Sequence, residues 1–476
     1  MSFLAYDLVL LGIFVILLGI FLFRKRKDVK REGLLLLYKT KWGVKLIHKI
    51  GDRHENGLKI LGWVSITLGY LLMAGVIYLV GKVVWIYVLN PQIVRAIKIP
   101  PITPLLPYID KIAPNLNLPP FYFTYWIIII AVVAIAHEFA HGIFAARSKV
   151  PIKSTGFGFF PFFLPIFLAA FVELDEKKMA KKKISHQLAI LSAGTFANIL
   201  TAVLFSLIMI GFFAVAFAPS GIVFDTYPYT QVNTSSIISI NNISVANISY
   251  NILLNDLNST GLNRIKTLNG DYAATKDFIS QQNSSPDELL LYYNSPAINA
   301  NLENTIMQIN GKTITNVNEL ANEIHSYSPG TKITLTVLGS DNAPYNKDVV
   351  LGADPSNKNL SWLGVGFYNQ NGNTLVQAYN QLFSLTKGHV YYASQIGDAG
   401  IFIYHLLWWL IIICISVALI NMLPMGIFDG GKFFYLTILA ITKKEKTAKI
   451  AYKIATYFFL FLLLVVMFFW IFYMKF

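Results

Sequence analysis

The sequence predicts a polytopic α-helical membrane protein, with about six transmembrane helices and an inserted, mainly β domain. The chain has 476 residues, of which 55% are hydrophobic and only 13% are charged, and its mean hydropathy is +0.54. Soluble globular chains rarely have this balance. Several apolar runs also reach the roughly 20 residues that cross a bilayer. These runs lie near residues 3–23, 60–88, 121–146, 188–217, 401–421 and 448–474.

A shorter apolar stretch, residues 157–172, needs a different interpretation. Pro161 and Pro165 interrupt it, and it is too short for a regular transmembrane helix. Irregular backbone is tolerated at membrane depth only where it is buried in protein or lines a cavity. We therefore predict a re-entrant segment here.

Basic residues predict the orientation of the chain in the membrane. Cytoplasmic loops carry an excess of Lys and Arg, and residues 24–57 contain 11 of them. The basic stretches 177–183 and 443–446 fall on the same side under six-span alternation. This places the N-terminus outside the cytoplasm. The same topology accounts for the net charge of +14, so we expect no nucleic-acid partner.

Residues 219–375 interrupt the membrane pattern. They are rich in Asn, Ser, Thr, Asp and Gly, and they contain alternating segments such as "KITLTV" (332–337), which is typical of β-strands. With 7 basic and 12 acidic residues, this segment carries a net charge of about −5. Every N-glycosylation motif of the chain falls within it: Asn233, Asn242, Asn247, Asn258, Asn283 and Asn359. We predict a mainly β, extracytoplasmic domain.

These observations divide the chain into four predicted segments. They are the N-terminal transmembrane helices with a basic cytoplasmic loop (1–120), the first half of a membrane core (121–218), the inserted domain (219–375), and the second half of the core with the last helix (376–476). The glycosylation motifs, the lone cysteine and the many Ile, Asn, Lys and Tyr residues favour a multi-pass protein of an archaeal cell membrane.

Part of the insert resembles a known peptide-binding domain. The segment "SPAINANLENTIMQINGKTITNVNELANEI" (295–324) resembles the core of a PDZ domain, with a hairpin at Ile306–Gly311 and a helix at 318–324. Segments 237–248 and 265–279 echo the hairpin, so a second unit is plausible. The resemblance implies binding of an extended peptide at a sheet edge. The alternative is a chance hairpin with an Asn-Gly turn.

The stretch "AVVAIAHEFAHGIFAAR" (131–147) places ionisable residues inside an apolar run. His137 and His141 are four residues apart, so they lie on one face of a helix and can bind one metal ion. His-Glu-x-x-His is the two-histidine zinc motif, in which the glutamate, here Glu138, acts as general base. The alternative is a buried polar cluster that neighbouring helices satisfy, although ionisable groups inside a membrane usually mark function.

A catalytic zinc ion needs a third protein ligand and one open position. The sequence offers two candidates. Glu173 lies in "AFVELDEK", and Asp429 lies in "NMLPMGIFDGGKFF" (421–434). Spacing alone does not decide between the two carboxylates.

Two separated motifs together resemble a known enzyme family. His-Glu-x-x-His in one span, followed in a later span by Asn421-x-x-Pro424-x-x-x-x-Asp429-Gly430, is similar to the site-2 proteases, intramembrane zinc metalloproteases of the M50 type. "AGTFAN" (193–198) resembles the family motif Ala-Gly-Pro-x-x-Asn. A PDZ-like insert between the core spans is also placed as in many members.

The resemblance implies a role for each site residue. It implies that zinc is held by three ligands: His137, His141 and Asp429. It further implies that Glu138 takes a proton from the attacking water and gives it to the leaving amine.

Two asparagines complete the implied site. Asn198 and Asn421 would orient the substrate or stabilise the oxyanion by donating hydrogen bonds. The alternative is that each asparagine only joins neighbouring helices.

We therefore expect a zinc endopeptidase that cleaves membrane-anchored proteins within or near their transmembrane segments. Its partners are then the substrate proteins and the lipid bilayer. One alternative is a membrane protease of the prenyl-protein or heat-shock type, which would take a glutamate as third ligand. A second alternative is a non-catalytic zinc-binding scaffold or transporter.

Overall fold

A computed structural model describes residues 3–32, 35–97, 105–112, 118–159, 168–245, 250–282, 288–339, 343–368 and 382–475. Pro161 and Pro165 of the predicted re-entrant segment lie outside these residues, as do the predicted glycosylation sites Asn247 and Asn283.

The described helices, in chain order, are α1 (Phe3–Arg24), α2 (Val44–Arg53), α3 (Glu55–Leu89), α4 (Pro91–Ile97), α5 (Ile109–Ile112), α6 (Phe123–Arg147), α7 (Glu176–Met179), α8 (Ile184–Ala216), α9 (Tyr250–Asp256), α10 (Lys276–Ser280), α11 (Pro296–Asn299), α12 (Val317–His325), α13 (Asp398–Asn421), α14 (Asp429–Thr442) and α15 (Glu445–Lys475).

The described strands are β1 (Val29–Glu32), β2 (Leu35–Thr40), β3 (Ile152–Phe159), β4 (Leu168–Leu174), β5 (Phe217–Val223), β6 (Tyr229–Asn233), β7 (Ile237–Ile240), β8 (Ile243–Ser244), β9 (Asn263–Thr267), β10 (Gly270–Ala274), β11 (Glu288–Tyr293), β12 (Thr305–Ile309), β13 (Lys312–Thr313), β14 (Lys332–Leu338), β15 (Pro344–Val350), β16 (Gly352–Ala353), β17 (Ser361–Trp362), β18 (Thr386–Lys387) and β19 (Val390–Ser394).

The chain forms two compact units. The membrane unit comprises Met1–Phe212 and Ile401–Phe476, and the insert unit comprises Phe213–Gly400. Within the described residues, six helices are long and apolar enough to cross a membrane, namely α1, α3, α6, α8, α13 and α15. Each of them coincides with a predicted apolar run, which confirms a multi-pass helical membrane protein.

A four-stranded antiparallel sheet accompanies the helices of the membrane unit, in the order β1-β2-β3-β4. Strands β3 and β4 are the two arms of the predicted re-entrant segment, and their pairing runs from Ile152↔Leu174 to Phe159↔Leu168. Strands β1 and β2 come from the loop after α1 and extend this sheet. The sequence predicted that loop only as a basic connection.

The helix that carries the histidines is anchored at its start by another helix. The carboxylate of Asp7, on α1, accepts hydrogen bonds from the backbone N–H groups of Phe123 at 2.7 Å and Thr124 at 3.0 Å. These N–H groups have no partner inside their own helix, because they belong to its first turn. A carboxylate at this position also suits the positive end of the helix dipole. Asp7 therefore caps α6 from outside.

The core of the membrane unit joins α3, α6, α8, α13 and α14 in one buried apolar cluster. Close approach is possible where residues are small: the hydroxyls of Ser65 on α3 and Ser192 on α8 lie 2.7 Å apart and are buried. A Cβ atom added at Gly69 would lie 3.1 Å from the Cβ of Ser192. Helix α3 thus packs tightly on α8.

The insert unit contains two main sheets, each with its own buried apolar cluster. One sheet has the order β15-β14-β12-β5-β19-β18, with β13 paired to β12, and the other has the order β6-β11-β10-β9-β7-β8. The predicted Asn-Gly hairpin lies in the first sheet, where Asn310 and Gly311 have φ angles of 47° and 83°. Positive φ at both central residues is the geometry that favours Asn-Gly in tight hairpins.

The insert unit reaches beyond its predicted boundary at residue 375. Strands β18 and β19 follow that boundary, and β19 pairs with β5 at the start of the insert. Phe217 is the register partner of Ser394, and the N–H of Gln395 donates to the carbonyl of Ala216 at 2.8 Å. The chain therefore enters and leaves the insert at one place.

Candidate active site

Helix α6 presents His137, Glu138 and His141 within the membrane unit. Both histidines are buried, and their Nε2 atoms lie 3.0 Å apart. This convergence follows from the helix, because residues four apart point to the same side.

Asp429 joins the two histidines from another part of the chain. It is the first residue of α14, and its Oδ2 lies 3.4 Å from His137 Nε2 and 3.2 Å from His141 Nε2. The ligand atoms of the three residues all lie within 4.8 Å of one another. Two imidazoles and one carboxylate are a donor set that catalytic zinc sites use, so these residues fit a zinc ion.

Glycines allow the chain to place Asp429 at this point. A Cβ added at Gly430 would lie 2.5 Å from the carbonyl oxygen of Met422. A Cβ at Gly431 would lie 2.7 Å from the carbonyl carbon of Met425. Side chains at these positions would push α14 away from the preceding turn, and the carboxylate of Asp429 would move with it.

Glu138 contacts the four-stranded sheet of the membrane unit. Its Oε2 accepts a hydrogen bond from the backbone N–H of Val172 on β4 at 2.8 Å. Together with His141 and Asp429 it also lines a cavity of about 900 Å³. Charged side chains of β4, α7 and α14 line the same cavity, which gives water a polar environment beside the carboxylate.

The two candidates for the third ligand have different surroundings in the structure. Glu173 accepts a hydrogen bond from Ser154 Oγ at 2.6 Å and forms an ion pair with Lys39 Nζ at 3.0 Å. Among the described residues, the group that can hold a metal consists of His137, His141 and Asp429, without Glu173. The carboxylate of Glu173 is therefore held by side chains of β2 and β3.

The two predicted asparagines have different surroundings. Asn198, on α8, is fully buried, and its Nδ2 lies 3.1 Å from His137 Nδ1, on the side of the ring away from Asp429. Asn421 is partly exposed at the end of α13. Among the described residues, no hydrogen bond joins the side chain of Asn421 to the histidines or to Asp429.

Two further residues of α8 contact the histidines and were not predicted. The carbonyl oxygen of Ile190 lies 2.6 Å from His141 Nδ1. A Cβ added at Gly194 would lie 2.5 Å from His137 Nε2. Gly194 lies inside the quoted motif "AGTFAN", so the sequence could have indicated it as a site residue. The contact of Ile190 is made by its backbone carbonyl, which every residue has, so the sequence could not indicate it.

Comparison with known families bears on this geometry. The sequence model described as Peptidase family M50 matches residues 125–466. The chain belongs to peptidase family M50. The M50 match includes the helix with His137 and His141 and the turn with Asp429, and it confirms the resemblance to the site-2 proteases. M50 membership makes the protein a membrane metalloprotease of the site-2 type. Among curated proteins, none matches the chain.

Proposed function

We propose that the protein is an intramembrane zinc endopeptidase that cleaves membrane-anchored proteins within or near their transmembrane segments. The observation that carries this proposal is the convergence of three metal-binding side chains beside Glu138. His137 and His141 lie on a helix long and apolar enough to cross a membrane, and Asp429 joins them from α14. A polar cluster that only joins neighbouring helices would not need carboxylates on the wall of a cavity of about 900 Å³.

The chemistry follows from the side chains. A zinc ion held by His137, His141 and Asp429 supplies Lewis acidity, which lowers the pKa of water towards neutrality and polarises a carbonyl group. Glu138 takes a proton from the attacking water and delivers it to the leaving amine. The N–H of Val172 holds the carboxylate of Glu138 at the edge of the cavity.

Strand β4 offers a place for an unwound substrate. Among the strands that the structure describes, β4 is the last in its sheet and pairs only with β3. Its Val172 N–H donates to Glu138. A peptide that adds to this edge by backbone hydrogen bonds has its peptide bonds next to the general base. A substrate segment that pairs as a strand is no longer helical, so its peptide bonds are accessible for hydrolysis.

We assign the remaining predicted parts as follows. Asn421 donates a hydrogen bond to the substrate carbonyl, where negative charge develops. The insert lies outside the cytoplasm, and its PDZ-like part selects or docks substrates. The support for the location is the acidic insert, its confined glycosylation motifs and the basic loops elsewhere in the chain.

The test of the function uses Glu138→Gln in purified, reconstituted protein. An amide cannot accept the proton, so cleavage of a short transmembrane test peptide should fall by about 10²–10⁴-fold while bound zinc is unchanged. Mass spectrometry of the products locates the cleaved bond. Full cleavage by zinc-loaded Glu138→Gln protein would sink the mechanism.

The same substitution identifies natural substrates. Membrane proteins that accumulate uncut in cells with Glu138→Gln, but not in cells with the unaltered protein, are candidates. An unchanged set of membrane proteins would count against an endopeptidase.

A further inference from the structure

One face of α8 contacts both histidine rings. Ile190, Gly194 and Asn198 are each four residues apart, so they form a single stripe on this helix. The Ile190 carbonyl meets His141 Nδ1 at 2.6 Å, and the Asn198 amide meets His137 Nδ1 at 3.1 Å. Gly194 has no side chain, and a Cβ at this position would overlap the rings.

The tautomers of the rings follow from this arrangement. Both Nε2 atoms face Asp429, and an imidazole that binds a metal through Nε2 carries its proton on Nδ1. For His141 this is consistent with its partner, since a carbonyl oxygen can only accept. For His137 the same rule requires an acceptor at Asn198.

The amide of Asn198 can supply that acceptor. Its oxygen and nitrogen have nearly the same shape, so the hydrogen-bond network decides which atom faces the ring. Asn198 is fully buried, and its Oδ1 has no hydrogen-bond partner among the described residues when Nδ2 faces His137. Either orientation leaves one amide atom unpartnered, so the tautomer of His137 decides between them.

We propose that Asn198 is a positioning residue of the metal centre, whose Oδ1 accepts the Nδ1–H of His137 and holds the ring with Nε2 towards Asp429. This inference rests on the proposed zinc site. It separates Asn198 from Asn421, because Asn198 acts on the metal ligand and not on the substrate. Such partners behind a metal-binding histidine fix its tautomer and orientation.

The test compares two substitutions by their zinc affinity, measured by competition with a chelator. Asn198→Asp keeps an acceptor for the Nδ1–H, so affinity should stay within a few-fold. Asn198→Leu has a similar shape and no acceptor, so affinity should fall by about 10–100-fold. A substrate-binding asparagine would leave zinc affinity unchanged in both variants, and that outcome would overturn the inference.

Controls separate the possible failures. Thr201→Val removes a polar group from the same helix and should leave zinc affinity unchanged, because Thr201 Oγ1 donates, among the described residues, to the carbonyl of Ala197 at 2.8 Å and not to a histidine. Thermal melting without metal should show that Asn198→Leu is folded. Equal loss in Asn198→Asp and Asn198→Leu would mean that the amide acts as a donor, against the inference. If the unaltered protein binds no zinc, the proposed function fails instead.

Discussion

Asp429 and Glu173 are both carboxylates at the wall of one cavity, yet their partners differ. Asp429 faces the two histidines, while Glu173 is held by Ser154 and Lys39. Asp429→Asn should therefore lower the zinc content of the purified protein strongly, because a neutral amide is a poor ligand for this ion. Glu173→Gln is the matched control and should leave zinc content unchanged.

Metal analysis of both variants decides the assignment. If Glu173→Gln loses its zinc and Asp429→Asn keeps it, the assignment of Asp429 as third ligand is wrong.

Gly194 should be indispensable in a way that another glycine of the same helix is not. A Cβ at Gly194 would lie 2.5 Å from His137 Nε2, too close for a real contact, whereas Gly211 has no atom within 4 Å of its added Cβ. Gly194→Ala should reduce zinc affinity by about tenfold or more, as displaced ligand rings do. Gly211→Ala should be neutral or stabilise the helix by about 0.5–1 kcal/mol.

Chelator competition and thermal melting measure the two effects. Equal zinc affinity in Gly194→Ala and Gly211→Ala would show that the rings can move away without loss of the ion.

At the scale of single residues, the sequence predicted that His137 and His141 can bind one metal ion, because residues four apart lie on the same face of a helix. Spacing alone did not decide between Glu173 and Asp429, because their distance from His141 depends on how separate segments pack, and only the resemblance to the site-2 proteases selected Asp429. Nor could the sequence show that the side chain of Asn198 faces His137. That contact is set by the packing of α8 against α6.

At the scale of elements, the transmembrane helices were predictable because each needs only a long apolar run. Strands β1 and β2 were not, because strand formation depends on pairing with distant neighbours. Strand β2 pairs with β3, more than a hundred positions along the chain, and β1 joins the sheet only through β2. The apolar run of the first span likewise gave no sign that its Asp7 caps the helix that carries His137 and His141.

An ion pair links the segment after β4 to α14 across the rim of the cavity. Glu176 Oε1 and Lys432 Nζ lie 2.8 Å apart, and both side chains are exposed. The hydrogen bond and positive charge of Lys432 hold the pKa of Glu176 below its ordinary value. A lowered pKa in the folded state means that the pair stabilises above the ordinary glutamate range and is lost as pH falls through the lowered value.

Hydrogen exchange of residues 168–176 tests this tether. At neutral pH, Glu176→Gln should speed exchange by no more than about fivefold, since an exposed pair is worth at most about 1 kcal/mol. The difference from the unaltered protein should vanish at high salt and at pH values below the lowered pKa. A difference that persists in strong acid would mean that the carboxylate charge is not responsible.

At the scale of the whole molecule, every proposed zinc ligand belongs to the membrane unit. Replacing residues 217–394 by a short Gly-Ser linker should therefore leave zinc binding intact, and the contact between Ala216 and Gln395 makes the connection short. A short transmembrane test peptide should still be cleaved. Anchored proteins with large outer domains should be cut more readily, because the insert no longer selects them.

Two results would contradict this view of the insert. A deletion variant that is folded and zinc-loaded, yet cleaves nothing, would show that the insert helps to build the active site. Protease protection in oriented vesicles should find residues 219–375 on the outside. If residues 219–375 and the basic loops are protected from the protease on the same side, the proposed topology is wrong.

The pairing of Phe217 with Ser394 also bears on how the chain folds and how it can grow. Closing a flexible loop costs entropy that rises by about 0.6 kcal/mol with each doubling of its length. Once β5 and β19 have paired, α8 and α13 are joined as if by a tight turn, whatever the length of chain between those strands. The six-stranded sheet, which lies in the sequence between β5 and β12, therefore adds residues without lengthening the connection that the membrane helices must close.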